Sequence, residues 1–452
     1  MLPLDQIQGN ILRGYRFPVS RYIFARVGSA AAARSWLSGV VGQVTYATDW
    51  GNTRPSSTLN VGFTHRGLAA LGLADTSLAS FPEDFRIGMA DRAALLGDVG
   101  PSHPDNWEAG LGTANAVSRT HLLVSLYAVN EQVLAARVQV ILAAMQAAGL
   151  EIVTEQPATR LPNDTEHFGY ADGISQPAVA DSGDPGHPGD GIATSGGGWR
   201  PLAVGEFVLG YPAEGGGATV PLPVDALGRN GTYLVYRKLH QNVPLFRQYI
   251  AAAAERLRLD HEWVAARVVG RWRDGTPVER SPDFPDPAFN TSQPDEVNRF
   301  TYAADSSGRR CPLGAHIRRA NPRDGLGNGP VAVVGHRLIR RGVPYGRPLP
   351  LGAADDGQDR GLVFMAVNAS IREQFEFVQR LWMQSGGFAG LDPANRDPLI
   401  GANDGGPNSQ MVIPMAPFPR FLVDLPRFVT LRFGAYLFLP SRRALQHLAE
   451  EP

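Results

Sequence analysis

A chain of 452 residues, 43% hydrophobic and 19% charged, is long enough for two domains or two large halves that share one interface. Lys and Arg total 42 against 43 Asp and Glu, so no basic field exists to hold a polyanion and nucleic acid is excluded as an expected partner. No apolar run reaches the roughly 18 to 20 residues that a spanning helix needs, so no membrane is expected either.

The opening Met1-Leu2-Pro3-Leu4-Asp5-Gln6 has no basic stretch, no apolar core and no arginine pair, which predicts cytoplasmic residence. Apolar alternation predicts a strand over 21–27, and the alanine-rich stretch through Trp36 reads as a helix. Residues 59–63 form a second predicted strand and 121–129 the clearest strand of this half. Asn130 is a good N-cap for a helix ending near Gly149. Residues 182–198 are rich in Gly, Pro, Ser and Asp and cannot continue a helix or strand. A domain boundary is therefore expected there or just after, giving an N-terminal domain over 1–200 and a C-terminal domain over 201–452.

The second half repeats the grammar. A strand over 232–236 precedes a helix near 245–257, and a Pro- and Asp-rich stretch over 273–298 is expected to wrap the surface. A strand over 362–367 leads into a helix whose start carries a Ser370/Glu373 capping-box pattern. Residues 428–431 and 435–439 supply a late hairpin-like or bulged strand. Strands and helices alternate, yet few crossovers are long enough for a large parallel sheet. The predicted class is α+β, with two tandem ferredoxin-like units.

Three segments hold the chemistry-bearing residues. In Phe168-Gly169-Tyr170-Ala171-Asp172-Gly173 a carboxylate sits between glycines, where the backbone can bend sharply and approach a ligand; a plain Asx-turn has the same signature. In Cys311-Pro312-Leu313-Gly314-Ala315-His316, followed by Ile317-Arg318-Arg319-Ala320-Asn321-Pro322-Arg323, two prolines bracket a segment too short for a long helix. His316 is thus expected on a brief turn beside several cations, which could equally just solvate a loop. The third segment, His336-Arg337-Leu338-Ile339-Arg340-Arg341-Gly342, offers three guanidinium groups, each cationic at any working pH. Downstream, Leu362 and Phe364 alternate on one strand face, as pocket wall or as ordinary core. The single cysteine, Cys311, rules out an internal disulfide.

These segments resemble the dye-decolorizing peroxidases, a haem enzyme family, and the resemblance runs over nearly the whole chain. Gly169-x-x-Asp172-Gly173 matches the family's hallmark motif. Ile7-Gln8-Gly9-Asn10-Ile11-Leu12-Arg13-Gly14, Phe207-Val208-Leu209-Gly210-Tyr211 and Gln374-Phe375-Glu376-Phe377 also look like family sequence. The resemblance implies tandem ferredoxin-like domains of a dimeric α+β barrel type, with Asp172 contributed by the first and haem held mostly by the second. It implies His316 as the iron ligand, Asp172 as acid/base and Arg337 as the arginine beside it, with Arg323 pairing a haem propionate near Asn321. Asp397, in Arg396-Asp397-Pro398, is the candidate carboxylate for the outer nitrogen of His316, while Leu362 and Phe364 would face the haem.

The function so implied is reduction of hydrogen peroxide through a ferryl intermediate, followed by single-electron oxidation of dyes or phenols. No Cys-x-x-Cys-His exists, so haem b would be held without covalent attachment, with Cys311 thiolate as the other conceivable ligand. Aspartate near its reference pKa of about 3.9 stays a base where histidine, near about 6.5, would be protonated, which predicts activity favoured by low pH. Trp199, Trp263, Trp272, Trp382 and Tyr345 are candidates for oxidising bulky donors at the surface. A twin-arginine leader is missing, and the ending His447-Leu448-Ala449-Glu450-Glu451-Pro452 does not resemble an encapsulin-targeting tail. The rival reading is a haem-handling protein for transport, storage or iron release. Homo-oligomer formation stays open.

Overall fold

The structure is a computed structural model that describes residues 2–51, 53–108, 120–214, 222–327 and 331–450. The opening methionine and the last two residues of the C-terminal tail lie outside them.

Nine strands form one antiparallel sheet: β1 Val19–Arg26, β2 Ser57–Phe63, β3 Leu122–Ala128, β4 Glu151–Thr159, β5 Thr232–Gln241, β6 Ile339–Arg340, β7 Val343–Tyr345, β8 Gly361–Asn368 and β9 Val429–Leu439. Their spatial order is β4-β1-β3-β2-β9-β5-β8-β6, with β7 also on β8. Each half therefore carries its four strand positions in the same order, fourth-first-third-second, the arrangement of a ferredoxin-like unit. The halves meet where Phe438 of β9 pairs with Phe63 of β2.

The sheet curls on itself. Phe24 on β1 lies four strand positions from Tyr236 on β5, which in a flat sheet would set them about 19 Å apart at about 4.8 Å per strand. Their rings are instead 4.8 Å apart, and Phe24 also meets Phe433 of β9 at 5.0 Å. The outer strands β4 and β7 come into contact, which completes a barrel-like interior. Alternation along each strand sends Tyr22, Phe24, Tyr236 and Phe433 into it. Ile23, Val61, Val124 and Val235 face the opposite core, under α1 Ala30–Val41 and α2 Glu131–Ala147.

Local chemistry sets the element ends. Asn130 Oδ1 accepts from Val133 N at 2.9 Å to open α2. Asn242 and Asp260 do the same for α3 Val243–Leu257 and α4 His261–Val269. At Ser370 the expected capping box is half present: Ser370 Oγ accepts from Glu373 N, but the Ser370 amide is taken by Gln374 Oε1 rather than by Glu373. The turns that follow, Ile371–Glu376 and Val378–Met383, are wide π-helical ones. The late segment is one strand with a bulge between Leu431 and Phe433. β4, which the sequence reading passed over, carries Pro157, tolerated because β4 is an edge strand.

Candidate functional site

A cavity of about 310 Å³ opens between strands β5, β8 and β9 on one side and, on the other, α4, the π-helical turns and the short helix α5 His316–Ala320. Its walls are largely apolar, with Leu239, Val269, Ile317, Phe375 and Val429 among them. Leu362 and Phe364 both line it from β8.

His316 opens a five-residue helix rather than the expected turn. Its Nδ1 lies 2.9 Å from Asp397 Oδ2, and Asp397 is completely buried. The second carboxylate oxygen of Asp397 accepts from Leu399 N at 2.9 Å and Ile400 N at 2.8 Å. Burial alone would push the imidazole pKa down, but the charge and hydrogen bond of Asp397 outweigh it and the pKa is raised. Burial would likewise raise Asp397, yet the charge and hydrogen bond of His316 hold it below the usual carboxylate range. With Nδ1 donating to a carboxylate, Nε2 is left as the lone-pair nitrogen, and 27% of the side chain stays accessible.

Asp172 reaches the same cavity from the loop after β4. That loop is bent at Gly169 (φ 97°) and Gly173 (φ 74°), and a Cβ on Gly169 would come within 2.8 Å of Arg273 Nη1. Half-buried Glu166, which the sequence reading missed, accepts from the amides of Phe168 and Tyr170, both at 2.9 Å, and ties the loop to Gln241 of β5. Asp172 Oδ1 accepts from Gly173 N at 2.6 Å and from Arg340 Nη1 at 2.9 Å. Among the described residues no hydrogen bond reaches Oδ2. Burial would raise the Asp172 pKa, but the Arg340 guanidinium and the Gly173 amide prevail and hold it below the ordinary value.

The guanidinium that meets Asp172 is thus Arg340, three residues beyond Arg337. Arg340 lies on β6, opposite Ala366 of β8, and its strand neighbour Ile339 is buried in the barrel interior. Arg337 sits in the turn before the strand, its Nη2 3.5 Å from the Asp190 carbonyl. Burial first, then repulsion from Arg323 and Arg340, pushes Arg337 down to about 10 against the opposing charge of Asp190. Asp190 itself comes from the Gly- and Pro-rich stretch read as a boundary, so that stretch also builds the site.

At this end Arg323 donates to the Phe300 carbonyl at 2.8 Å and lies 4.0 Å above the Phe300 ring. Beside it, Asn321 Oδ1 is buried and has no hydrogen-bond partner. Arg323, Arg337 and Arg340 converge here; Asp172 faces Arg340, Asp190 acts on both Arg323 and Arg337, and Asp324 and Glu279 also act on Arg323. Arg341 turns away, to the carbonyls of Asn10 and Ile11.

The residues fit haem. A flat apolar ring with two carboxylates suits an apolar cavity with surplus cations at one end and an unpartnered polar atom beside them. One imidazole nitrogen faces the cavity, and among the described residues no cluster of three or more His, Cys, Asp and Glu side chains could hold a bare ion. The Cys311 thiol is buried in the core beside α4, and that burial pushes its pKa to about 12, which disfavours a thiolate.

Residues 6–160 match the family model described as the DyP dimeric alpha+beta barrel domain. Peroxidase 2 of Mycetinis scorodonius is 30% identical over 99% of this chain and 87% of its own length. Multifunctional dye peroxidase DyP2 of an Amycolatopsis species is 31% identical over 98% of this chain and 96% of its own. Among solved structures, a dye-decolorizing peroxidase in complex with 2,6-dimethoxyphenol superposes with a TM-score of 0.83. It is 28% identical over 99% of this chain and 100% of that one.

Proposed function

This chain belongs to the dye-decolorizing peroxidase family, and from that premise we propose which of its residues run the reaction. It is a peroxidase that reduces hydrogen peroxide and oxidises dyes and phenols. Haem b, bound without covalent attachment, would supply the iron that takes up the peroxide and stores the oxidising equivalents returned to the donor one electron at a time.

His316 would hold the iron through Nε2. Asp397 keeps the proton on Nδ1 and makes the ring more electron-rich, which favours high oxidation states. Asp172 Oδ2 accepts the proton from the near oxygen of hydrogen peroxide and returns it to the far oxygen, which leaves as water. Arg340 keeps Asp172 ionised and donates to the departing oxygen as the O–O bond breaks. Arg337, Arg323 and Asn321 take the propionate end, and Leu362 and Phe364 exclude bulk water from the peroxide side. In this reading residues 1–200 contribute Asp172 and 201–452 hold the haem. Aromatic donors of the 2,6-dimethoxyphenol class are the reducing substrates.

The observation that carries the proposal is that His316, with its Asp397, and Asp172, with its Arg340, line one apolar cavity. Haem carriage alone would need the ligand but neither an ionised carboxylate with a free oxygen nor a cation beside it. The test is stopped-flow absorbance of haem-loaded protein mixed with one equivalent of hydrogen peroxide at mildly acid pH. Wild type should show a fast Soret change that reverses on adding a phenol, while Asp172→Ala and Arg340→Leu should slow it about 100-fold or more. An unchanging wild-type spectrum would overturn the proposal in favour of haem handling.

A further inference from the structure

A second cavity, of about 160 Å³, lies at one end of the barrel-like interior. Asp172 and Arg340 line both it and the haem space, and so form the wall between them. Its floor is buried and largely aromatic, made by Tyr15, Phe17, Tyr127, Leu161, Val343 and Pro344, none of which borders the haem space. That floor is fixed. Tyr15 and Tyr127 meet edge to face with ring centroids 5.5 Å apart, and the Tyr15 hydroxyl donates to Asn60 Oδ1 at 2.9 Å. At the mouth Arg16 and Asp164 are exposed, and Asp164 is ion-paired to Arg160.

Size and lining select the class of occupant. An apolar cavity of about 150 Å³ holds a benzene ring, so this one admits a single aromatic ring and excludes a fused dye. Hydrogen peroxide, with two heavy atoms, would leave most of the aromatic floor uncovered. Arg341 donates to the carbonyls of Asn10 at 2.8 Å and of Arg340 and Ile11 at 3.3 Å, three bonds for the five N–H groups of a guanidinium. No carboxylate among the described residues lies within ion-pair distance of it. Burial pushes its pKa down to about 10, with Tyr127, Tyr15 and Asp184 opposing. Asn10, also in the lining, is 2% exposed and its side-chain oxygen has no hydrogen-bond partner. The cation needs an acceptor and the amide oxygen a donor. An aromatic hydroxyl with an oxygen on the adjacent ring carbon supplies both.

We propose that this cavity binds single-ring phenols that carry a neighbouring oxygen, with the ring on Tyr15 and Tyr127, the hydroxyl donating to Asn10 Oδ1 and the second oxygen accepting from Arg341. The site rests on the peroxidase reading above and deepens it: a small donor occupies a space of its own, one wall away from the haem, and larger dyes are kept out of that space. Asn10 and Arg341 are then substrate-binding residues, with no part in the peroxide step.

The experiment titrates the haem-loaded enzyme, without peroxide, by calorimetry with 2-methoxyphenol and with 1,2-dimethoxybenzene, which lacks the hydroxyl. Wild type should bind the phenol at least about tenfold more tightly, and Asn10→Leu should lose that preference. Gly14, exposed at the cavity rim, has only Arg341 Nη1, at 3.7 Å, near a Cβ placed on it, so Gly14→Phe should fill the cavity and Gly14→Ala should not. Gly14→Phe should therefore weaken phenol binding and raise its KM at least about tenfold, and Gly14→Ala should retain both. Equal affinity of wild type for the two compounds, or phenol binding that Gly14→Phe leaves unchanged, overturns the site. So does a wild type that binds neither compound; a slower Soret change with peroxide in Gly14→Phe would then assign the cavity to peroxide. Failure of the peroxidase reading itself looks different, since phenol binding would persist while wild type showed no Soret change with peroxide.

Discussion

Arg340 Nη1 donates to Asp172 Oδ1 over 2.9 Å, and this contact favours the ionised form of a carboxylate that lines the cavity. Burial favours the neutral acid; the guanidinium and the Gly173 amide overcome it. The depressed pKa means that the base form persists as pH falls through mild acid. The rate of the peroxide step should therefore stay level down to pH values below the usual carboxylate range. In Arg340→Leu burial prevails, the Asp172 pKa rises above its ordinary value, and the acid limb should move up by at least about one pH unit. Rapid-mixing rates across a pH series check this. An acid limb that stays where it was would show that Arg340 does not set the charge of Asp172.

Arg337→Leu should behave differently from Arg340→Leu. Its guanidinium lies with Arg323 at the cationic end, 3.5 Å from the Asp190 carbonyl. The expected result is weaker haem retention, read by transfer of haem to a scavenging apoprotein, with the pH profile of the peroxide step unmoved. A shift of that profile equal to the Arg340→Leu shift would return the peroxide-side role to Arg337.

The difference between these two arginines also shows where sequence reading stops. The run from Arg337 to Arg341 offers three guanidinium groups of identical chemistry, and only the pairing of Arg340 with Ala366 selects which one points at Asp172. That register depends on a contact with β8, which nothing local announces. Glycine and proline punctuation singles out the segments of His316 and Asp172, which the structure brings to one cavity, whereas Asp397, hydrogen-bonded to His316, was expected only from the family resemblance. Glu166 was not legible, since a half-buried carboxylate that organises a loop looks like any other charged residue until the chain is folded. The two ferredoxin-like units were legible from strand and helix alternation. The closing of their sheet into a barrel became visible only in the contact between Phe24 and Tyr236.

Asp397→Asn should separate the two jobs of that residue. The Asn oxygen can still accept from Leu399 N or Ile400 N, so the local fold survives, but the negative charge behind His316 is gone. The iron reduction potential should rise, because the imidazole becomes a poorer electron donor. Asp397→Ala should in addition leave two buried amides and the histidine Nδ1 unpartnered, costing about 3 kcal/mol. Spectroelectrochemistry checks the first effect and denaturant unfolding the second; an unchanged potential in Asp397→Asn would remove the electronic role.

Gly169→Ala tests whether the loop geometry is required. A Cβ there meets Arg273 Nη1 at 2.8 Å on a backbone with φ 97°, a region side chains rarely adopt. We expect a loss of about 1 to 3 kcal/mol and a slower peroxide step, since Asp172 is three residues along the same bend. Unchanged unfolding midpoints would mean that the loop absorbs the strain.

Cys311→Ala distinguishes the two conceivable iron ligands. The thiol is buried and its pKa is pushed up to about 12, so at pH 8 it is protonated and should resist alkylation in the native protein while reacting once unfolded. If His316 is the ligand, the variant retains haem and its Soret position, and His316→Ala loses both. The cavity left by the small side chain costs about 1 kcal/mol or more, so spectra are compared well below the unfolding temperature. A Soret shift in Cys311→Ala with His316→Ala unaffected would reverse the assignment, and the Asp397 contact would then need another purpose.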